Sequence, residues 1–306
     1  EMCIRDRYYD QQGLVKFSDF KRVSGRFNSE YKLFDDHLRI GENISLSHSW
    51  GTSVSNNAAL GVSHEWAYKF QSITPVKNLE DEYAGNVFSD IPNPMGKLYR
   101  NKDNQDKKSR LVGNLYAELH LFDGLMFKTS FGVDYNNLYR RSFSPKYDEL
   151  NASEKLSSLS NRNAWNFNWV FTNTLTYNKT FGDHTINALL GMESLRNRYE
   201  YFTASRDGFP SDDPNFRFLD AGDVGTQKNS GAATEYSMVS YFGKLDYNYH
   251  DRYLVAFTLR RDGSSRLGNN KWGNFPAASV GWRISNEPFF DVESAKVVRM
   301  AVGWGQ

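Results

Sequence analysis

Apolar and polar residues alternate along most of this chain with a period of two, the period of a strand with two unlike faces. Over 165–177 the odd positions are Trp165, Phe167, Trp169, Phe171, Asn173, Leu175 and Tyr177, and the even positions are Asn166, Asn168, Val170, Thr172, Thr174 and Thr176. Over 111–121, Leu111, Leu115, Ala117, Leu119 and Leu121 oppose Asn114, Tyr116, Glu118 and His120. Over 239–249, Val239, Tyr241, Leu245, Tyr247 and Tyr249 oppose Ser240, Lys244, Asp246 and Asn248. The pattern predicts about eleven strands. Tight turns are expected at Asp35-Asp36, Phe122-Asp123-Gly124, Gly182-Asp183 and His250-Asp251-Arg252, where Asp and Gly tolerate positive φ. A further short connection is expected from Asn286 to about Ser294. Long connections are expected at about 10–16, 54–109, 146–162, 207–232 and 263–271. Short and long therefore take turns along the chain, as in an up-and-down transmembrane barrel with small turns at one end and large loops at the other. Phe34, Phe122, Phe181, Tyr249, Tyr253, Phe289 and Phe290 flank the short turns, where an interfacial aromatic girdle belongs.

One hairpin can be set in register. The odd positions are apolar both in 239–249 and in 253–261, and cross-strand partners share a face. Partner numbers must then sum to an even number, so the loop holds an odd number of residues. Three residues, His250-Asp251-Arg252, is the shortest solution. It sets Tyr249 opposite Tyr253, Tyr247 opposite Val255, Leu245 opposite Phe257 and Gly243 opposite Leu259. Phe242 then meets Arg260 within reach of a cation–π contact. A five-residue loop is the rival, with Tyr247 opposite Tyr253.

Composition sharpens this reading. Aromatic residues make up 15% of the 306 positions, which suits long strands with girdles. The mean hydropathy of −0.66 is no objection, because a barrel wall needs an apolar residue only at every second position. No apolar run is long enough for a membrane-spanning helix. The net charge of +1 offers no basic excess for nucleic acid. The single cysteine, Cys3, excludes an internal disulfide and a cysteine-type zinc site. Residues 1–7 have no apolar leader core and fit no strand pattern. They are expected to be a non-native or disordered leader, and 8–306 a partial barrel.

Catalytic chemistry is hard to place. The six histidines are scattered, and no phosphate loop or nucleophile elbow is present. No enzymatic activity, no metal and no cofactor is expected. Asp212, Asp213, Asp220 and Asp223 read as a solvated acidic loop rather than a calcium site. Trp66, Tyr68 and Phe70 are candidate loop aromatics for stacking on a ligand, against the plainer reading of local packing. Parity puts Lys244, Asp246, Arg260, Asp262 and Arg283 on the lumen face. Arg261 has the opposite parity and is expected at the outer rim beside a lipid headgroup.

The stretch Tyr241-Phe242-Gly243-Lys244-Leu245-Asp246-Tyr247-Asn248-Tyr249 with Asp251-Arg252-Tyr253-Leu254 resembles the SusC/RagA family of TonB-linked outer-membrane transporters. So do Leu259-Arg260-Arg261-Asp262-Gly263-Ser264-Ser265-Arg266, Lys271-Trp272-Gly273 and Phe275-Pro276-Ala277-Ala278-Ser279-Val280-Gly281-Trp282-Arg283-Ile284. The resemblance implies a 22-stranded barrel around a plug, uptake of oligosaccharides or peptides driven by the TonB complex, and a SusD-like surface lipoprotein. Plug, TonB-contacting segment and closing strand are expected to lie outside this chain. A passive porin and a soluble sugar-binding β-protein remain the alternatives at this point.

Overall fold

In the computed structural model, which describes residues 2–52, 63–290 and 297–305, the alternating segments join into one antiparallel sheet of eleven strands. These are β1 (Met2–Gln12), β2 (Asp19–Leu33), β3 (Leu38–Gly51), β4 (Gln105–Phe122), β5 (Leu125–Ser144), β8 (Ser158–Phe181), β9 (His184–Asp207), β10 (Lys228–Tyr249), β11 (Tyr253–Ser264), β12 (Trp272–Arg283) and β13 (Arg299–Gly305). Each pairs with its neighbour in sequence, so the order is up-and-down throughout. A separate hairpin, β6 (Tyr147–Glu149) with β7 (Ala152–Glu154), lies in the connection between β5 and β8. The connection between β3 and β4 carries two short helices, α1 (Ser63–Lys69) and α2 (Pro94–Asn101).

Turn chemistry fixes one end of the sheet. β4 and β5 are joined by Asp123-Gly124, with Gly124 at φ 87°, and β8 and β9 by Gly182-Asp183, with Gly182 at φ 57°. The β10–β11 loop is the three residues His250-Asp251-Arg252, closed by the Arg252 amide donating to the Tyr249 carbonyl at 2.9 Å. Tyr249 faces Tyr253, Tyr247 faces Val255, Leu245 faces Phe257, Gly243 faces Leu259 and Phe242 faces Arg260, the register that parity requires. The β2–β3 turn is longer than an Asp35-Asp36 corner. It spans Phe34 to His37, and Phe34, Asp35 and Asp36 all have positive φ.

Other boundaries also move. β1 begins at Met2 and pairs residue by residue with β2, from Met2 opposite Ser29 to Gln12 opposite Asp19. Residues 2–7 are therefore strand and not a disordered leader. Met2, Ile4 and Tyr8 share one face while Cys3, Arg5 and Arg7 share the other, an alternation that Asp6 interrupts. At the opposite end of the sheet β8 and β9 run for 24 residues each, well beyond the nine to eleven that cross a bilayer. The long connections shrink accordingly. Residues 291–296, which include part of the expected connection from Asn286 to about Ser294, lie outside the described residues.

A single sheet has no interior of its own, so few side chains are fully buried. The buried apolar cluster forms where long connections cover the sheet: Phe143 and Leu159 at the ends of β5 and β8, with Phe209, and with Leu219 and Ala221 packed against them.

Candidate functional site

Register assigns every strand residue to one of two faces. On the first lie Leu33, Leu38, Leu119, Phe127, Leu175, Leu190, Gly243, Leu259 and Pro276, one cross-strand row from β2 to β12. The row on the short-turn side, with Tyr177, Ala188, Leu245, Phe257 and Ala278, is as apolar, the row on the loop side also carries Thr129, Asn173, Arg261 and Asn274, and the edge strand β13 adds Met300, Val302 and Trp304. The second face is polar. Asn166, Asn168, Thr172 and Thr174 of β8 lie there beside Asn197, Glu193 and Gly191 of β9.

Many charges on the polar face are paired. Lys244 Nζ meets Asp246 at 2.7 Å. Arg260 Nε donates to both oxygens of Asp262 at 2.8 and 3.0 Å, its Nη2 donates to Ser240 Oγ at 3.0 Å, and Glu193 lies 3.8 Å away. The guanidinium also sits 5.5 Å from the Phe242 ring. Arg283 pairs with Asp251 at the β10–β11 turn. The five charges picked out by parity thus share one face, but they form separate pairs and not one cluster. The same face holds pairs that the sequence reading passed over: Arg110–Asp134 at 2.8 Å, Arg140–Asp106 at 2.5 Å and Lys128–Glu118 at 2.8 Å. Tyr116 donates to Glu30 at 2.8 Å, and Asn197 donates to Asn166 at 2.7 Å and also to Asn168. Extending parity from strand to strand would have found them, since all lie at the polar phase of their segments.

Arg261 lies on the apolar face, 5.0 Å above the Trp272 ring, and Trp272 stacks on Tyr241 at 6.1 Å. At the short-turn end the same face carries aromatic contacts. Tyr249 stacks on Tyr253 at 6.3 Å, and the Trp282 indole packs edge-on to Phe289 and donates to Glu287 at 2.9 Å. Hydrogen bonds from Trp282 and from the Tyr253 hydroxyl, with Arg252 nearby, hold the Glu287 carboxyl below the usual carboxylate range.

Long loops cap the other end. Glu149, only 2% exposed, accepts from the Asn93 amide at 2.5 Å and from Arg100 Nη1 at 2.6 Å, tying the β6–β7 hairpin to α2. Asn93 in turn caps α2, accepting from the Met95 and Gly96 amides. Arg100 lies 3.7 Å over the Tyr147 ring, and burial raises the Tyr147 hydroxyl above its ordinary range. Packing around Lys97, with Arg100 beside it, pulls that ammonium below the ordinary lysine range. Trp66, Tyr68 and Phe70 do not form one platform. Trp66 and Tyr68 are two residues apart on α1, and that spacing turns side chains to opposite sides of a helix. Trp66 packs under Lys97 at 5.2 Å, Tyr68 is 92% exposed, and Phe70 follows the helix half-buried. In the acidic loop Asp213 and Asp223 cap short 3-10 turns, and Asp220 pairs with Arg206 at 3.2 Å. Among the described residues no three His, Cys, Asp or Glu side chains gather as a metal set.

A wall with one apolar and one polar face, short turns at one end and folded loops at the other is the form of an outer-membrane receptor barrel. No family model matches the chain. It is 30% identical over 294 residues to a TonB-dependent receptor of Formosa agariphila, a match that covers 94% of this chain and 29% of that protein. It is 27% identical to the TonB-dependent receptor SusC of Bacteroides thetaiotaomicron, over 97% of this chain and 31% of SusC. Among solved structures, that of the RagAB peptide transporter superimposes with a TM-score of 0.79 at 21% identity, covering 99% of this chain and 35% of the other. The chain thus spans about a third of the length of the relatives it matches. Its likeness is to TonB-dependent outer-membrane receptors, SusC among them, and its strands correspond to a section of such a receptor's barrel.

Proposed function

We propose that this chain is part of the wall of an energised importer that carries a large nutrient, an oligosaccharide or a peptide, across the outer membrane. The apolar face meets lipid and the polar face lines the lumen. The observation that carries this reading is the segregation of charge. Lys244, Asp246, Arg260, Asp262 and Arg283 all lie on one face and are paired there, opposite rows of Leu, Phe and Val. Charge facing lipid at mid-bilayer would cost about 2–4 kcal/mol for each Arg or Lys, whereas in a wet lumen it serves to grip polar solutes or a plug. The short turns then face the periplasm and the loops held by Glu149 face outward. A SusD-like lipoprotein and the TonB complex are the partners that this reading brings with it, as the similarity to SusC suggests. The chain itself performs no bond-breaking chemistry.

The experiment is uptake by cells carrying the complete receptor. Labelled oligosaccharide and peptide pools should enter wild-type cells and not a deletion strain, and a protonophore should abolish entry. Uptake that survives the protonophore would favour a passive porin. Hydrolysis of the substrate by purified receptor, lost on mutation within this segment, would overturn the assignment as a transporter.

A further inference from the structure

Arg260 and Arg261 are neighbours in sequence and opposites in surroundings. Arg260 has Asp262, Glu193 and Ser240 around it on the polar face. For Arg261, on the apolar face, no carboxylate lies within ion-pairing distance among the described residues, and its charge rests only on the Trp272 ring. That setting is built. Gly263 lies opposite Trp272, and a Cβ at Gly263 would come within 2.9 Å of the indole, so the missing side chain lets the ring lie across the strand. Tyr241 stacks on the same indole, with the planes 22° apart. Asn274 is the direct cross-strand partner of Arg261 and adds an amide on the same face.

Height decides what this group meets. Arg261 is the ninth residue of β11 counted from the short turn, and Trp272 the eleventh of β12 counted back from Trp282. Nine to eleven tilted residues cross the hydrocarbon, so both reach its outer boundary. Below them on the same strand Tyr253, Val255, Phe257 and Leu259 are all apolar and exposed. Several other cations of the apolar face have protein partners, although Lys107 and Arg141, farther out on β4 and β5, form no ion pair among the described residues. Lys21 faces Asp10 at 3.6 Å, Arg196 faces Glu235 at 2.7 Å and Arg198 faces Glu200 at 2.9 Å.

We infer that Arg261, held flat by Trp272 and flanked by Tyr241 and Asn274, is a binding site for the phosphate of an outer-leaflet lipid. A guanidinium binds phosphate oxygens through paired N–H donors, and the aromatic pair places it at the interface while fixing its plane. The site rests on the facing proposed above, with the apolar face toward lipid.

The test uses the complete receptor in nanodiscs of phosphatidylcholine doped with phosphatidic acid or, separately, with diacylglycerol of the same chains, and reads bound lipid by native mass spectrometry. Wild type should retain phosphatidic acid and not diacylglycerol. Arg261→Gln should lose about tenfold of that retention, as expected for a charge-assisted hydrogen-bond pair, and Arg261→Lys should keep part of it. Lys244→Gln, on the other face, should retain lipid like wild type. Equal retention by wild type and Arg261→Gln would overturn the site. So would complete displacement by millimolar inorganic phosphate, which would mark a free-anion site. A spin label at Val255 in the same nanodiscs tests the facing separately: oxygen accessibility there with no Arg261 effect sinks the lipid site alone, and lack of it sinks the facing as well.

Discussion

Gly191 shows how one absent side chain arranges the polar face. It lies directly opposite Phe242, and a Cβ at Gly191 would come within 2.1 Å of the Phe242 ring. The ring therefore lies over β9 and offers itself to Arg260 on β11. In the complete receptor, Gly191→Ala should force the ring away and lower the thermal midpoint in detergent, a destabilisation of about 1–3 kcal/mol, the usual cost of overpacking. Phe242→Leu in the same chain should recover most of the loss. A midpoint for Gly191→Ala equal to wild type would show that the ring has a second seat. Glu287 makes a residue-scale prediction of a different kind. Its carboxyl is held below the usual range by donors from Trp282 and Tyr253, so the folded state binds its proton less readily than the unfolded state. The stabilisation is present above the ordinary carboxylate range and is lost as pH falls through the depressed value. Tryptophan fluorescence should report Trp282 release on acidification, and Glu287→Gln should remove that step; an unchanged acid transition in the variant would refute the linkage.

Elements differ in how much of them the sequence displays, and the reason is the distance over which their partners lie. The β10–β11 hairpin is legible because apolar residues keep the same parity on both sides of a three-residue loop, so one-residue slips would turn a whole face inside out. The polar charges at Lys244 and Arg260 follow from the same parity, and so does the placement of Arg261 on the apolar face. Residues 2–7 were hidden because Asp6 breaks their alternation on the apolar side, while their pairing with β2 is made through backbone groups that carry no sequence signal. The loops were hidden for a stronger reason. Glu149 finds Arg100 and Asn93 across 49 and 56 positions, and nothing local to the hairpin announces either. Trp66, Tyr68 and Phe70 were candidates as loop aromatics, but α1 turns Trp66 and Tyr68 to different sides and Phe70 follows its end. Because Glu149 is buried and its partner Arg100 is 11% exposed, Glu149→Ala leaves a buried guanidinium without its carboxylate, a loss of about 3–5 kcal/mol. That loss should appear locally. Hydrogen exchange at the Asn93 amide should accelerate, and protease should cut the β3–β4 connection sooner, while the β10–β11 hairpin stays protected. Equal exchange at Asn93 in variant and wild type would show that the loops hold together by other contacts.

At the scale of the whole molecule the governing fact is that the sheet has two ends. β1 and β13 each pair on one side only, and within this chain they do not pair with each other. Water can satisfy such an edge, but hydrocarbon cannot, and each unmatched backbone group in lipid costs several kcal/mol. β1 presents eleven residues and β13 seven, so neither edge is short enough to be ignored. The apolar face compounds the difficulty, because outside a bilayer its rows of Leu, Phe and Val would be left against water. Strands matching the remainder of a related barrel would satisfy both edges by continuing the same up-and-down order around to closure. The expectation is that residues 1–306 expressed alone with an export signal will not form a detergent-resistant, heat-modifiable barrel and will not restore uptake to a receptor-deletion strain. The complete receptor should do both. Assembly by edge pairing is the one route around this, two copies closing on each other as twenty-two strands, and cross-linking at cysteines placed on β1 and β13 would reveal it. Monomeric, heat-modifiable protein from this stretch alone would show that the edges are satisfied within the chain, and would defeat the account of it as an open section of wall.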